Sequence, residues 1–180
     1  VEQIPDDHGL YVEVFGGALN ILYAKKKPTS PKIREVINDI NGELINLHRQ
    51  IQKRPQTLSL YLKQLLVSRD IFYDILKRKW VPRNDMQRAA FYYYLLTQSF
   101  GAKGLNFAMN AKSRRPRNLV RDFSVWSRRL EHVTIENRSF EEIIKNYDKA
   151  ETFFYCDPPY VETESYYQNT GGFGFKEHQK

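Results

Sequence analysis

The sequence predicts an α/β fold in which a parallel sheet is interrupted by a long helical insertion. Four short segments, at residues 10–15, 33–37, 132–135 and 152–156, have the length and composition of strands. Between residues 55 and 130 the apolar side chains recur at helical spacing instead. Strand-helix units split in this way favour a sheet with helices on both faces and an attached helical subdomain.

The composition bounds the class of protein. A chain of 180 residues suits one domain with a real hydrophobic core. The sequence has no apolar run long enough to cross a bilayer and no charged-then-apolar leader, so we predict a cytoplasmic protein without a membrane partner. The formal net charge of +7 permits a polyanionic partner. The one cysteine, Cys156, excludes a disulfide within this sequence, and its apolar surroundings predict a buried thiol.

The first predicted strand ends at a glycine turn. Residues 10–15 are followed at once by Gly16-Gly17 and then by a short, largely buried helix over residues 18–24. Glycines between a strand and a helix let the backbone approach a ligand closely, although a structural turn explains two glycines equally well.

The second predicted strand, residues 33–37, ends at Asn38-Asp39. An acid at this place can bind both ribose hydroxyls of a nucleoside-bearing cofactor. Because an amphipathic helix begins near Gly42, Asp39 has an alternative role as its N-cap. The spacing of Asp39 from the glycine turn favours the ribose role.

The insertion contains three predicted helices, over residues 58–66, 71–76 and 88–96. The last of these carries an aromatic cluster at residues 91–94. Such a cluster is more often part of a core than a base-stacking surface.

The third predicted strand ends at Glu136 and Asn137, and a helix over residues 140–147 follows. Ser139 is a good N-cap for this helix, with Glu142 completing a capping box. The fourth predicted strand is a run of five apolar or β-branched residues, which indicates a buried strand, and it runs directly into Asp157-Pro158-Pro159-Tyr160. Proline cannot donate to a sheet and restricts the residue before it, so this loop is stiff and extended. It lies at the carboxyl edge of the sheet, where ligands of open α/β folds bind.

The residues of this loop suit one kind of chemistry. An exocyclic amine on a nucleobase is a poor nucleophile because its lone pair is delocalised into the ring. The Asp157 carboxylate and the Pro158 carbonyl can accept its two hydrogens and push the nitrogen toward tetrahedral geometry. Tyr160 offers a flat face on which an extruded base can stack. An ordinary strand that ends in a turn is the alternative.

These residues resemble a known family. Asp157-Pro158-Pro159-Tyr160 after an apolar strand looks like the catalytic motif of S-adenosylmethionine-dependent N6-adenine DNA methyltransferases, in particular the Dam-like group. The resemblance extends, in the family's order, to residues 11–18 and 35–41, and it covers nearly the whole chain. It implies a Rossmann-like methyltransferase sheet with a helical target-recognition insertion. It also implies S-adenosylmethionine as methyl donor, double-stranded DNA as substrate and a flipped adenine, with no need for a metal.

The resemblance also assigns roles to residues. Residues 1–54 and 131–180 would form the cofactor-binding catalytic domain, and residues 55–130 the DNA-recognition insertion. The catalytic residues would be Asp157, Pro158, Pro159 and Tyr160. The cofactor would be bound at the ends of the strands, by Glu13, Phe15, Gly16, Gly17, Asp39, Asn137, Ser139, Phe140 and Asp157. For Ser139 the capping role alone is a sufficient explanation.

The end of the insertion is strongly basic. Seven lysines and arginines between residues 112 and 129 meet a single acid, Asp122. A solvated face is the simple explanation for a basic run. Because arginine can pair with phosphate and can also read guanine, we instead predict DNA contacts, to phosphates before bases. The residues expected to make them are Lys112, Arg114, Arg115, Arg117 and Arg121.

The family's usual glycine-lysine segment before the first strand, and the strands after the catalytic loop, have no counterpart in this sequence. We therefore expect either a fragment of a longer protein or a truncated, inactive relative that still binds DNA. An amine methyltransferase that acts on RNA or protein is a further alternative. The resemblance also admits a restriction endonuclease as partner.

Overall fold

The structure is a computed structural model that describes residues 4–5, 8–108, 119 and 121–159. The chain divides into two compact units. The first unit comprises Val1–Ile45 together with Arg129–Lys180, and the second comprises Asn46–Arg128. The first division lies nine residues before the domain boundary expected from the sequence, and the second lies two residues before its expected boundary.

The described residues form four strands and seven α-helices in an order close to the predicted one. The strands are β1 (Leu10–Glu13), β2 (Arg34–Asn38), β3 (Val133–Glu136) and β4 (Thr152–Tyr155). The helices are α1 (Asn20–Ala24), α2 (Gly42–Lys53), α3 (Pro55–Lys63), α4 (Arg69–Leu76), α5 (Asp85–Gln98), α6 (Ser124–Leu130) and α7 (Phe140–Tyr147), and a 3-10 helix spans Phe100–Ala102. Helix α6 was not predicted; Asp122, which accepts the backbone N–H of Ser124 at 2.9 Å, is the signal at its start.

The described strands form one parallel sheet in the order β3-β2-β1-β4. In register, Leu10 of β1 lies opposite Arg34 of β2 on one side and Thr152 of β4 on the other. The chain therefore runs outward from β1 to β3 and then returns to the far side of β1. The α/β, Rossmann-like prediction is confirmed, and the reversal of strand order falls between β1 and β4, where such folds bind ligands.

One face of the sheet is apolar and is covered by α7. Because side chains alternate along a strand, Leu10, Val12 and Val14 point to this face. They are buried together with Val36 of β2 and Ile143 of α7. Four larger side chains pack at the margin of this cluster: Phe15, Phe140, Tyr147 and Phe154.

The opposite face of the sheet carries a buried tyrosine and a buried glutamate on β1. The ring of Tyr11 stacks on Phe153 of β4, with centroids 6.1 Å apart and planes 11° from parallel. The Tyr11 hydroxyl donates to Oε1 of Glu13 at 2.7 Å. Burial raises the pKa of the Glu13 carboxyl to about 7, and it also raises the pKa of Tyr11. Near neutral pH, Tyr11 therefore keeps its hydroxyl proton and Glu13 is protonated in part of the molecules.

A buried ion pair joins Arg129 to β2 on this second face of the sheet, within the first unit. Glu35 of β2 is only 5% exposed, and the guanidinium of Arg129 binds it with both ends, at 2.6 and 2.8 Å. Lys25 contributes a third contact at 3.1 Å, and Arg129 Nε donates to the carbonyl of Leu22 at 3.1 Å. The two-pronged geometry is that of a strong charge-assisted pair.

Two expectations about the fourth strand are wrong. The side chains of β4 are half-buried where full burial was expected, because in the described sheet β4 pairs with β1 on one side only. Cys156 is exposed where a buried thiol was expected. It lies one residue beyond Tyr155, where the pairing with β1 has ended.

The second unit has its own apolar core. Phe72 and Ile75 of α4, Tyr94 of α5 and Leu119 are buried together. The Tyr94 hydroxyl donates to the carbonyl of Leu66 at 2.9 Å and accepts the N–H of Ser68 at 3.1 Å. For Tyr94, the expectation that the aromatic cluster of α5 belongs to a core is confirmed.

Replacing Glu13 by glutamine tests the buried carboxyl. Because folding raises its pKa from 4.5 to about 7, the folded chain keeps a proton that the unfolded chain loses between these pH values. The contribution of Glu13 to the free energy of unfolding is therefore fully present below pH 4.5 and is lost as the pH rises to about 7. Glu13→Gln cannot ionise, so above that pH we expect it to be more stable than the wild type by roughly 1–3 kcal/mol.

Urea unfolding at an acidic and an alkaline pH, followed by far-ultraviolet circular dichroism, measures this difference. The control is Glu151→Gln, which changes an exposed glutamate and should leave the pH dependence of stability as it is in the wild type. If the difference in free energy of unfolding between Glu13→Gln and wild type is the same at both pH values, the pKa assigned to Glu13 is wrong.

Replacing Arg129 by methionine tests the buried ion pair. The substitution removes both guanidinium contacts and leaves the buried Glu35 with Lys25 as its remaining cation. The free energy of unfolding should therefore fall by less than the roughly 3–5 kcal/mol expected for a buried charge without any partner. Adding Glu35→Gln removes the carboxylate that has lost its main partner and should restore part of the loss. The measurement is urea unfolding of both variants; a single variant as stable as the wild type would show that the pair contributes nothing.

Candidate active site

The carboxyl ends of the parallel strands bring several predicted site residues to one edge of the first unit. The N–H of Val14 donates to the carbonyl of Tyr155 at 3.1 Å, so the loops that leave β1 and β4 start side by side. One loop continues into the glycine turn and the other into Asp157, which is exposed. Pro158 and Pro159 are half-buried.

The two glycines of the turn have different constraints. The N–H of Gly16 donates to the carbonyl of Asn38 at 2.7 Å. A Cβ on Gly16 would lie 2.8 Å from Leu19 Cδ2 and 3.0 Å from the Asn38 oxygen, so a side chain is excluded there. Gly17 has φ of +51° and meets nothing within 4 Å of an added Cβ. Gly16 is therefore required by packing, and Gly17 presents its backbone to open space.

The Asp39 carboxylate ties the end of β2 to the glycine turn. Its Oδ2 accepts the N–H of Gly17 at 2.9 Å, and its Oδ1 accepts the N–H of Asn41 at 2.8 Å. A carboxylate has about four acceptor positions, so one that receives these two bonds can still bind two hydroxyl donors. The half-buried side chain of Asp39 is thus suited to a ribose diol.

The alternative role of Asp39 as the N-cap of α2 is wrong. The side chain of Asn41 accepts the N–H groups of Glu43 and Leu44 at 3.1 and 3.3 Å. Asn41 is therefore the residue that caps α2, because it stands immediately before the first helical residue.

The end of β3 lies against the same edge. Asn137 donates from Nδ2 to the carbonyls of Asp39 and Ile40, at 2.7 and 3.1 Å. The Ser139 hydroxyl accepts the N–H of Glu142 at 3.3 Å, which confirms its role as the N-cap of α7. The ring of Phe140 contacts that of Phe15, with centroids 5.9 Å apart. Two of the predicted cofactor residues, Asn137 and Phe140, thus contact Asp39 and Phe15, and Ser139 stands between them in the sequence.

Asn38 has a central place at this edge, although the sequence assigns it no role. Its side chain is 1% exposed and donates from Nδ2 to the carbonyls of Val14 and Arg138, at 3.0 and 3.1 Å. Its Oδ1 accepts the N–H of Arg138 at 2.8 Å. The signal that points to it is a polar side chain at the end of an apolar strand, where burial requires hydrogen-bond partners.

Other predicted site residues are not brought to this edge or cannot be placed. The side chain of Glu13 points to the face of the sheet that carries Tyr11 and accepts a hydrogen bond from the Tyr11 hydroxyl, so its role in cofactor binding stays a prediction. Arg121, in the second unit, is exposed with its guanidinium 4.9 Å from the centre of the Trp126 ring. The remaining predicted residues lie outside the described part of the chain: Tyr160, Lys112, Arg114, Arg115 and Arg117.

The described residues contain neither a metal-binding cluster nor a helix that could cross a membrane. No group of three or more histidine, cysteine, aspartate or glutamate side chains in them is arranged to hold a metal ion. None of the helices in this part of the chain combines the length and the apolar character that crossing a bilayer requires.

Comparison with known proteins gives two matches. The family model described as "D12 class N6 adenine-specific DNA methyltransferase" matches residues 1–180. The chain is also similar to Type II methyltransferase M1.LlaDCHI of Lactococcus lactis subsp. cremoris, with 29% identity over 199 residues. The match covers 97% of this chain, and the chain spans 66% of the length of that relative. The chain therefore belongs to the family of D12 class N6 adenine-specific DNA methyltransferases, as its three ordered motifs predict.

Proposed function

We propose that this protein transfers a methyl group from S-adenosylmethionine to N6 of an adenine in double-stranded DNA. The observation that carries the proposal is the convergence of the glycine turn, Asp39 and the start of the Asp157-Pro158-Pro159 loop at one edge of the sheet. Family membership over residues 1–180 supports the same chemistry.

The residues at this edge fit S-adenosylmethionine. Gly17 offers a backbone without a side chain to a ligand that approaches from open space. Asp39 has acceptor capacity for both ribose hydroxyls. Phe15 and Phe140 form an aromatic pair beside them, suited to an adenine ring. When bound, the cofactor supplies an electrophilic methyl group on its sulfonium.

The loop after β4 would prepare the target nitrogen. The adenine is flipped out of the duplex at a cost of a few kcal/mol, because its amino group cannot be reached inside the stack. The Asp157 carboxylate and the Pro158 carbonyl accept the two amino hydrogens and localise the lone pair on N6. Pro159 keeps the loop extended, and Tyr160 stacks on the base. In a direct in-line displacement, the N6 lone pair would form a bond to the methyl carbon as the bond from that carbon to the sulfonium sulfur breaks. S-adenosylhomocysteine would leave and Asp157 would accept the proton that N6 loses, so catalysis would rest on positioning and hydrogen bonds.

The distribution of charge supports DNA as the substrate. The second unit contains 17 basic and 4 acidic residues, a formal charge of +13. The first unit contains 11 basic and 17 acidic residues, a formal charge of −6, which together with the second gives the +7 of the chain. Binding to phosphates is therefore assigned to the second unit, through Lys112, Arg114, Arg115, Arg117 and Arg121.

The relative from Lactococcus lactis is named a Type II methyltransferase. This similarity supports a place for the present protein in a restriction-modification system. Its partner there would be a restriction endonuclease that cuts the same DNA sequence when it is unmethylated.

Replacing Asp39 by alanine tests the cofactor site. The variant loses the acceptors assigned to the ribose hydroxyls, and hydrogen bonds to a charged group are each worth about 1.5–3 kcal/mol. We expect the Kd for S-adenosylmethionine to rise by roughly 10–100-fold, measured by calorimetry. The matched control is Glu151→Ala, which removes an exposed acid before β4, at the opposite edge of the sheet. Equal affinities of Asp39→Ala and wild type would place the cofactor elsewhere.

Replacing Asp157 by alanine tests the catalytic loop. In the full-length protein at saturating S-adenosylmethionine, we expect methyl transfer to adenine of duplex DNA to slow by roughly 10²-fold or more. Asp157→Asn keeps one oxygen acceptor and should lose less. The measurement is incorporation of labelled methyl into DNA, with RNA and protein as alternative acceptors.

Each outcome of this experiment has a separate meaning. An Asp157→Ala variant as active as the wild type refutes the mechanism. Labelling of RNA or protein without labelling of DNA refutes the substrate. A wild-type protein that binds DNA without binding S-adenosylmethionine would instead be an inactive DNA-binding relative.

A further inference from the structure

We infer that Asn38 is a positioning residue of the cofactor site, which fixes the spacing between the loops that leave β1, β2 and β3. The inference rests on the proposed function, because those loops carry the residues assigned to S-adenosylmethionine. Asn38 itself is buried and would act through its neighbours.

Asn38, the last residue of β2, makes bonds to the loops that leave β1 and β3. The Asn38 amide donates to the carbonyl of Val14 in the loop after β1, at 3.0 Å. It exchanges two bonds with Arg138 in the loop after β3, at 3.1 and 2.8 Å. The backbone carbonyl of Asn38 accepts the N–H of Gly16 at 2.7 Å. A change in this one side chain therefore alters the relative placement of loops that are distant in the sequence.

The bonded backbone groups are next to the assigned cofactor contacts. Val14 immediately precedes Phe15 and the glycine turn, and Arg138 lies between Asn137 and Ser139. Asn38 immediately precedes Asp39. A displacement of Val14 or Arg138 by a few tenths of an ångström would therefore be transmitted to residues that contact the ligand.

The chemistry of these bonds requires a carboxamide. The site presents two carbonyl acceptors and one N–H donor, and an amide supplies two donors and one acceptor within one small group. An ionised aspartate of the same shape has acceptors only, so it would face two carbonyl oxygens without a proton between them. A protonated aspartic acid recovers one of the two donated bonds and keeps the accepted one.

The strands do not depend on this side chain. β1 pairs with β2 and β2 with β3 through backbone hydrogen bonds in a parallel register. Changing Asn38 should therefore move the loops more than the sheet. This separates a positioning role from a general contribution to stability.

The test compares Asn38→Asp with wild type for binding of S-adenosylmethionine by calorimetry. At neutral pH we expect the Kd to rise at least tenfold, with KM for S-adenosylmethionine rising likewise and kcat at saturating cofactor changing less. As the pH falls and the new carboxyl is protonated, the ratio of variant Kd to wild-type Kd should decrease. Glu13, Asp39, Glu136 and Arg138, the ionisable groups of these strand ends, are common to both proteins, so the ratio isolates the change at position 38.

The matched control is Asn46→Asp. Asn46 is also a buried asparagine, and it donates from Nδ2 to the carbonyl of Asp85 at 2.8 Å within the second unit. This variant makes the same chemical change away from the cofactor site. It should lower the unfolding temperature and leave the Kd for S-adenosylmethionine unchanged.

If Asn38→Asp does not fold, Asn38→Ser gives the comparison of Kd at neutral pH, with a smaller polar side chain that has no carboxyl to protonate. A wild-type Kd in the folded variant, or a loss of affinity no greater than that of Asn46→Asp, overturns the inference while the proposed function stands. A wild-type protein that does not bind S-adenosylmethionine overturns the proposed function and this inference with it.

Discussion

The parallel pairing of β1 with β2 on one side and β4 on the other is the constraint on which the rest of the first unit depends. A parallel arrangement places the carboxyl ends of all the strands at one edge, so residues from distant parts of the sequence become neighbours there. The glycine turn follows β1, Asp39 follows β2 and Asp157 follows β4. No one of these loops forms the candidate site by itself.

The first unit has polar side chains at this edge and on one face of the sheet, and the two sets make different interactions. At the edge, the bonds of Asn38, Asp39 and Asn137 run mostly to backbone groups of neighbouring loops. On the face, the side chains of Glu35 and Arg129 bind each other and connect β2 to the helices. The edge thus keeps acceptor capacity available to a ligand, whereas the charges of the face are compensated within the protein.

The sequence was sufficient to predict the four strands and their order along the chain, because runs of apolar and β-branched residues and the glycines and prolines that follow them act locally on the backbone. It was insufficient where the outcome depends on the direction in which a side chain points. Glu13 lies within residues 11–18, the motif that contains the glycine turn. Its side chain nevertheless points to the face of the sheet that carries Tyr11 and accepts a hydrogen bond from that residue. Asn41 took the capping role open to Asp39, because α2 begins at Gly42 and Asn41 stands immediately before it. Asn38 became central through bonds to loops that only the folded sheet brings near.

The order of strands also has a consequence for how the chain folds during synthesis. Leu10 of the central strand pairs with Thr152, so a large part of the polypeptide must leave the ribosome before β1 has both neighbours. The helices of the second unit, by contrast, lie within one continuous stretch and close by short-range contacts. The nascent chain therefore completes its basic helical part first and its sheet last, and until β4 emerges one side of β1 is an open strand edge that invites mispairing.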